Sequence, residues 1–163
     1  MMLFQSADRR FGLRLDARDV KKITKLCRRA FPNETGGILI GRYNERHDLA
    51  EITGISPPPP DSHQAPTAFY RGVQGLQRCL QRLWHGKRQY YIGEWHFHPL
   101  GTPEPSGRDA AQMRDIATAK NYRCPEPVLL IVAGTAERPL DFGAYVCLES
   151  GGPLKLAAQE SPT

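Results

Sequence analysis

In the segment Glu94-Trp-His-Phe-His98, polar and aromatic residues alternate, and this pattern constrains the fold more than any other. On a β-strand, residues two apart point to the same side. Glu94, His96 and His98 therefore share one face, while Trp95 and Phe97 occupy the other and read as core rather than as a platform for substrate. Two imidazoles then project together. A His-x-His pair alone carries little weight, because satisfied core or surface histidines produce it equally well.

The elements around this strand follow from periodicity. Val20, Ile23, Leu26, Cys27, Ala30 and Phe31 recur at helical spacing behind Asp16, a good N-cap residue, so residues 16–31 are expected to be an amphipathic helix that Pro32 ends. Gly36–Gly41 and Leu49–Ile55 are short apolar runs separated by the turn-formers Asn44 to Asp48, the arrangement of a hairpin. The prolines of Ser56 to His63 predict a stiff connector. A stripe of Phe69, Val73, Leu76, Leu80, Leu83 and Trp84 predicts a second helix before Gly86. Tyr90–His98 is expected as a strand, Ser106 to about Lys120 as a third helix, and Val128–Ala133 and Phe142–Leu148 as two further strands. The segment 151–163 is expected to be a flexible tail on a single domain whose ordered core runs from about residue 10 to 150.

A chain of 163 residues with 40% hydrophobic content can close a core without disulfides. Its cysteines, Cys27, Cys79, Cys124 and Cys147, are far apart and form no CxxC pair, which argues against a disulfide-stapled secreted fold and against a cysteine-ligated zinc site. The apolar run Val128–Ala133 is far below the roughly 20 residues of a membrane span, and the start MMLFQSADRR lacks the apolar stretch of a signal peptide. A cytoplasmic protein without membrane partners is expected. The net charge of +5 raises nucleic acid as a partner, but the basic residues of Arg18–Arg29 and Arg71–Arg88 fall where helices expose solvated faces. Nucleic-acid binding is not expected.

Asp109 turns the histidine pair into a candidate site. At helical spacing it shares a stripe with Met113 and Ile116, which places a carboxylate on the inward face, where a charge needs a partner. Ser106, three residues earlier, offers a simpler account in which it caps the helix and Asp109 complements the positive helix end. Both accounts can hold together. A helix start beside the end of a two-histidine strand joins two neutral nitrogens and one carboxylate, a zinc-compatible set that leaves a position for water.

The pattern His96-x-His98, then Ser106-x-x-Asp109, preceded far upstream by Glu34, resembles the motif of the JAMM (MPN-plus, JAB-domain) metallopeptidases, with no position departing. Glu34-Thr-Gly-Gly-Ile-Leu-Ile-Gly41 is similar to the family's first strand. The resemblance covers nearly the whole chain. It implies an α/β fold of the JAB/MPN type, which is cytidine-deaminase-like, with a central mixed β-sheet flanked by helices. It also implies one Zn²⁺ on His96, His98 and Asp109, with Glu34 as general base and then acid, and Ser106 as donor to the oxyanion. Gly93-Glu-Trp-His-Phe-His-Pro99, the proline-rich loop and the small size most resemble the stand-alone bacterial branch found in antiphage CBASS operons.

That resemblance implies hydrolysis of the bond after the C-terminus of a conjugated protein. The partner is expected to present an extended tail that adds as a strand beside the sheet, and the conjugate to involve a CD-NTase-like nucleotidyltransferase. Trimming of a ubiquitin-like or sulfur-carrier precursor would use the same chemistry. A noncatalytic scaffold of this fold would usually lack the motif, which is complete here, and a zinc deaminase would need a Pro-Cys-x-x-Cys segment, which the chain lacks. Glu94, on the histidine face, competes with Glu34 for the base role but ranks as a supporting carboxylate. His47, His63 and His85 are expected in solvent rather than on a metal.

Overall fold

The computed structural model describes residues 1–159. In chain order the elements are β1 (Met2–Gln5), β2 (Gly12–Leu15), α1 (Ala17–Ala30), β3 (Thr35–Tyr43), β4 (Leu49–Ile55), β5 (His63–Ala65), β6 (Ala68–Tyr70), α2 (Leu76–Lys87), β7 (Tyr90–Pro99), α3 (Gly107–Thr118), β8 (Val128–Gly134), β9 (Asp141–Cys147) and β10 (Pro153–Gln159). Eight strands form one mixed sheet in the order β1-β10-β9-β8-β7-β3-β4-β2, which closes because β2 pairs with β1. The β2–β4 and β7–β8 pairs are parallel and the others antiparallel. Strands β5 and β6 form a separate ribbon.

Alternation along the central strands divides the core in two. Leu130 and Val132 of β8 join Trp95 and Phe97 of β7 and Ile23 and Cys27 of α1. The intervening Leu129 and Ile131 face the other way and pack with Met113 and Ile116 of α3. Full burial of a side chain such as Phe97 stabilises by about 1.5–3 kcal/mol. A one-residue slip of β7 would exchange Trp95 and Phe97 for Glu94, His96 and His98 in the first core, so the register that aims the histidines at α3 is strongly specified.

Four expectations change. The stripe read as the start of a helix at Phe69 is split: Phe69 lies buried on β6, and α2 begins only at Leu76. Gly75, at φ +83°, interrupts the helix, and the Asp61 carboxylate fixes the segment before it by accepting the N–H groups of Val73 and Gln74 at 3.0 Å each. The expected flexible tail contains β10, which pairs with both β9 and β1 and buries Leu156; residues 160–163 of that tail lie outside the described residues. Pairing with β10 also brings β1 into the sheet, ahead of the expected ordered core. Closure of the eight-stranded sheet removes the free edge on which a substrate tail was expected to add, and among the described residues the β5–β6 ribbon is what still offers one.

No described helix is long and apolar enough to cross a membrane.

Candidate active site

The sequence of α3 places its carboxylate by capping. Ser106 is the N-cap, its Oγ accepting the Asp109 N–H at 3.1 Å, while Asp109 Oδ2 accepts the Ser106 N–H and Oγ–H at 2.7 Å each. This reciprocal box holds the Asp109 side chain rigidly at the helix start. Its other contacts run to β7: Oδ1 lies 2.7 Å from His96 Nδ1 and Oδ2 lies 3.2 Å from His98 Nε2. The cap and the polar site are thus one structure. Burial opposes ionisation of Asp109, but the hydrogen bonds to His96 and His98 and the charge of His96 outweigh it and hold its carboxyl far below the usual range. Burial likewise works against a charged His98, yet the bond to Asp109 and the charges of Asp109 and Glu34 raise its pKa.

Glu34 precedes β3 by one residue. Strand β3 pairs with β7 so that Thr35 faces Phe97, Gly36 faces His96 and Gly37 faces Trp95; continuing that register outward carries Glu34 alongside His98. Its N–H is held by the Ala65 carbonyl of β5 at 2.9 Å. Burial pushes its carboxyl above the ordinary value and the Asp109 charge adds to this, against the opposing charges of His98, His96 and Arg108. The double glycine has a steric cause. A Cβ on Gly36 would lie 2.4 Å from the Trp95 carbonyl oxygen and 2.9 Å from His96 Cδ2, and one on Gly37 would lie 2.4 Å from the Ser56 carbonyl oxygen. Side chains there would displace the strand that carries the histidines.

A cleft of about 590 Å³ opens over these groups, lined by Glu34, His98, Ser106 and Asp109 together with Phe69 and Arg108. His96 is 3% exposed and lies buried behind Asp109, to which it is bonded. His47, His63 and His85 are exposed, as expected. All five residues singled out from the sequence therefore meet in one place. Glu94 does not join them: its carboxylate accepts from Arg71 Nε at 2.6 Å and from the Tyr91 hydroxyl at 2.8 Å, in a buried network away from the cleft. Sequence reading missed Arg71. The signal was the one used for Asp109, since a carboxylate on the inward face of a strand needs a cation.

Residues 16–143 match a family profile described as prokaryotic homologs of the JAB domain. The chain belongs to this JAB-domain family. A protein of Enterobacter hormaechei subsp. hoffmannii named CD-NTase/cGAS isopeptidase is 39% identical to this JAB domain over 153 residues, covering 94% of the chain and 84% of the relative. A probable metalloprotease of Sinorhizobium fredii is 29% identical over 64% of the chain and 65% of its own length. A Vibrio cholerae protein, also named CD-NTase/cGAS isopeptidase, is 31% identical over 62% of each. The solution structure of a Desulfitobacterium hafniense protein shares the JAB-domain fold with a TM-score of 0.64, at 18% identity over 91% of this chain and 90% of that one.

Proposed function

We propose that this JAB domain is a zinc-dependent peptidase that hydrolyses the bond joining a protein's C-terminus to a conjugated partner, with a CD-NTase-like nucleotidyltransferase in the conjugate. The observation that carries the function is the Asp109 carboxylate bridging His96 and His98 beneath a cleft that also holds Glu34. The conjugate is inferred from the names of the Enterobacter and Vibrio relatives.

The residues present fit zinc. Among the described residues no three donors are already disposed around one ion position, because the two imidazoles and the carboxylate bond to one another. The donor types are nonetheless those of a catalytic zinc site with three protein ligands. His96 Nε2 is buried with no hydrogen-bond partner among the described residues, while Nδ1 is the nitrogen that faces Asp109. His96, His98 and Asp109 would hold the ion, which, when bound, lowers the pKa of its water to about 7 and polarises a carbonyl.

The chain's own groups supply the rest. Glu34 is the general base, made more basic by burial, and it passes the proton to the departing amine. Ser106 lines the cleft, and its hydroxyl donates to the oxyanion once it leaves Asp109 Oδ2. The substrate tail pairs as a strand on the ribbon edge, which takes affinity from main-chain bonds. Ser106→Ala is expected to lower kcat about 10²-fold and to destabilise the fold by about 1 kcal/mol through loss of the cap. Wild-type turnover with reduced stability would leave Ser106 a cap alone.

The function is tested by incubating the protein with a CD-NTase joined through its C-terminal carboxylate to a lysine of a carrier protein. Release of the intact CD-NTase, abolished by a chelator and restored by zinc, is expected. Cleavage that persists after zinc removal, or none at all, would refute the proposal.

A further inference from the structure

Glu94 is fully buried and Arg71 exposes only 4% of its side chain, yet the proposed chemistry uses neither. Every arm of the guanidinium is engaged: Nε donates to Glu94 Oε2 at 2.6 Å, Nη1 to the Gly72 carbonyl at 2.8 Å and Nη2 to the Tyr122 hydroxyl at 2.7 Å. Tyr91 donates to the second oxygen of Glu94 at 2.8 Å. This network joins β7, the strand carrying both histidines, to the residue that follows β6 directly.

The β5–β6 ribbon has only three residues in each strand, too few to hold its place unaided in water. It nevertheless touches three parts of the site. The Ala65 carbonyl holds the Glu34 N–H at 2.9 Å. The Phe69 ring meets His96 edge to face, with centroids 5.5 Å apart. Near its turn, the Thr67 carbonyl accepts from Arg108 Nη1 at 3.4 Å, and the Arg108 guanidinium lies 5.3 Å from the centre of the Tyr70 ring. Whatever fixes the ribbon therefore fixes the approach of the base, the packing of one imidazole and the free strand edge together.

We propose that Arg71 is a positioning residue: clamped on Glu94, it fastens the ribbon to β7, and through the ribbon it sets the His96 ring, the Glu34 main chain and the edge on which substrate pairs. This rests on the zinc-peptidase function above. A buried ion pair replaced by neutral groups of similar volume often leaves stability unchanged, whereas removal of one partner strands a charge. Stability and positioning can therefore be separated.

The test is the paired variant Arg71→Met with Glu94→Gln, compared with wild type in zinc affinity by chelator competition, in KM and kcat on the conjugate at saturating zinc, and in amide exchange. The folded variant is expected to bind zinc about tenfold or more weakly, the size of effect that changing an outer partner of a metal ligand has. Its KM should rise, and the amides of Glu34 and residues 63–70 should exchange faster while those of β8 and β9 do not. Unchanged zinc affinity, KM and exchange in a folded variant would overturn the proposal. Should the pair fail to fold, Arg71→Lys, which keeps the charge opposite Glu94 but cannot bond to Glu94, Gly72 and Tyr122 together, is expected to move all three readouts in the same direction, and wild-type values there would equally overturn the proposal. Wild-type protein that neither binds zinc nor cuts the conjugate would instead refute the function, and ribbon exchange would still judge the clamp.

Discussion

Glu34→Gln is expected to leave the fold and zinc content at wild-type values while lowering kcat by about 10²- to 10⁴-fold, the usual contribution of a general base. The substitution keeps the side chain's size and the N–H bond to Ala65, and removes only the group that takes a proton. Glu34 lines the cleft beside His98, and burial raises its pKa, which makes its carboxylate the stronger proton acceptor. Glu94 cannot substitute, because Arg71 and Tyr91 occupy its two oxygens away from the cleft. Loss of zinc in Glu34→Gln would show Glu34 to be a ligand rather than a base. Unchanged turnover would move the base role to another residue.

His96→Ala is expected to abolish zinc binding and turnover, with an effect on affinity larger than the roughly 10- to 100-fold that changing an outer partner produces. Asp109→Asn should do the same while leaving α3 formed, because the amide oxygen can still accept the Ser106 N–H. The two variants separate the intertwined roles of the capping box. His96→Ala leaves the cap untouched, whereas Asp109→Asn keeps its geometry but removes the charge that bridges both imidazoles. Metal analysis of the purified variants, with circular dichroism to confirm folding, decides between ligand loss and unfolding. Zinc retained in both folded variants would place the metal elsewhere.

The grouping of the candidate site's residues was more legible in the sequence than the frame that supports it. Alternation on β7 set the histidine face because Trp95 and Phe97 permit one register, and helix phase put Asp109 inward because Met113 and Ile116 share its stripe. Both are local patterns. Glu34 came from family resemblance, and its physical cause, the pairing of Gly36 with His96, links residues far apart in the chain and has no local signature. The spacing of Phe69 to Val73 and Leu76 is helical and predicts a helix there; the Asp61 contacts and the positive φ of Gly75 override it, and those contacts link residues a dozen positions apart. Strand β10, Pro153-Leu-Lys-Leu-Ala-Ala-Gln159, is short and carries few large apolar residues, of which Leu156 alone is buried, so its strand depends on the pairing surfaces of β1 and β9.

The most direct test is anomalous scattering at the zinc edge from crystals of the wild-type protein, with metal content measured on the same sample. One zinc per chain is expected, within about 2.0–2.2 Å of an atom from each of His96, His98 and Asp109. An anomalous peak away from these three residues, or metal-free protein that cleaves its conjugate at the full rate, would contradict the account.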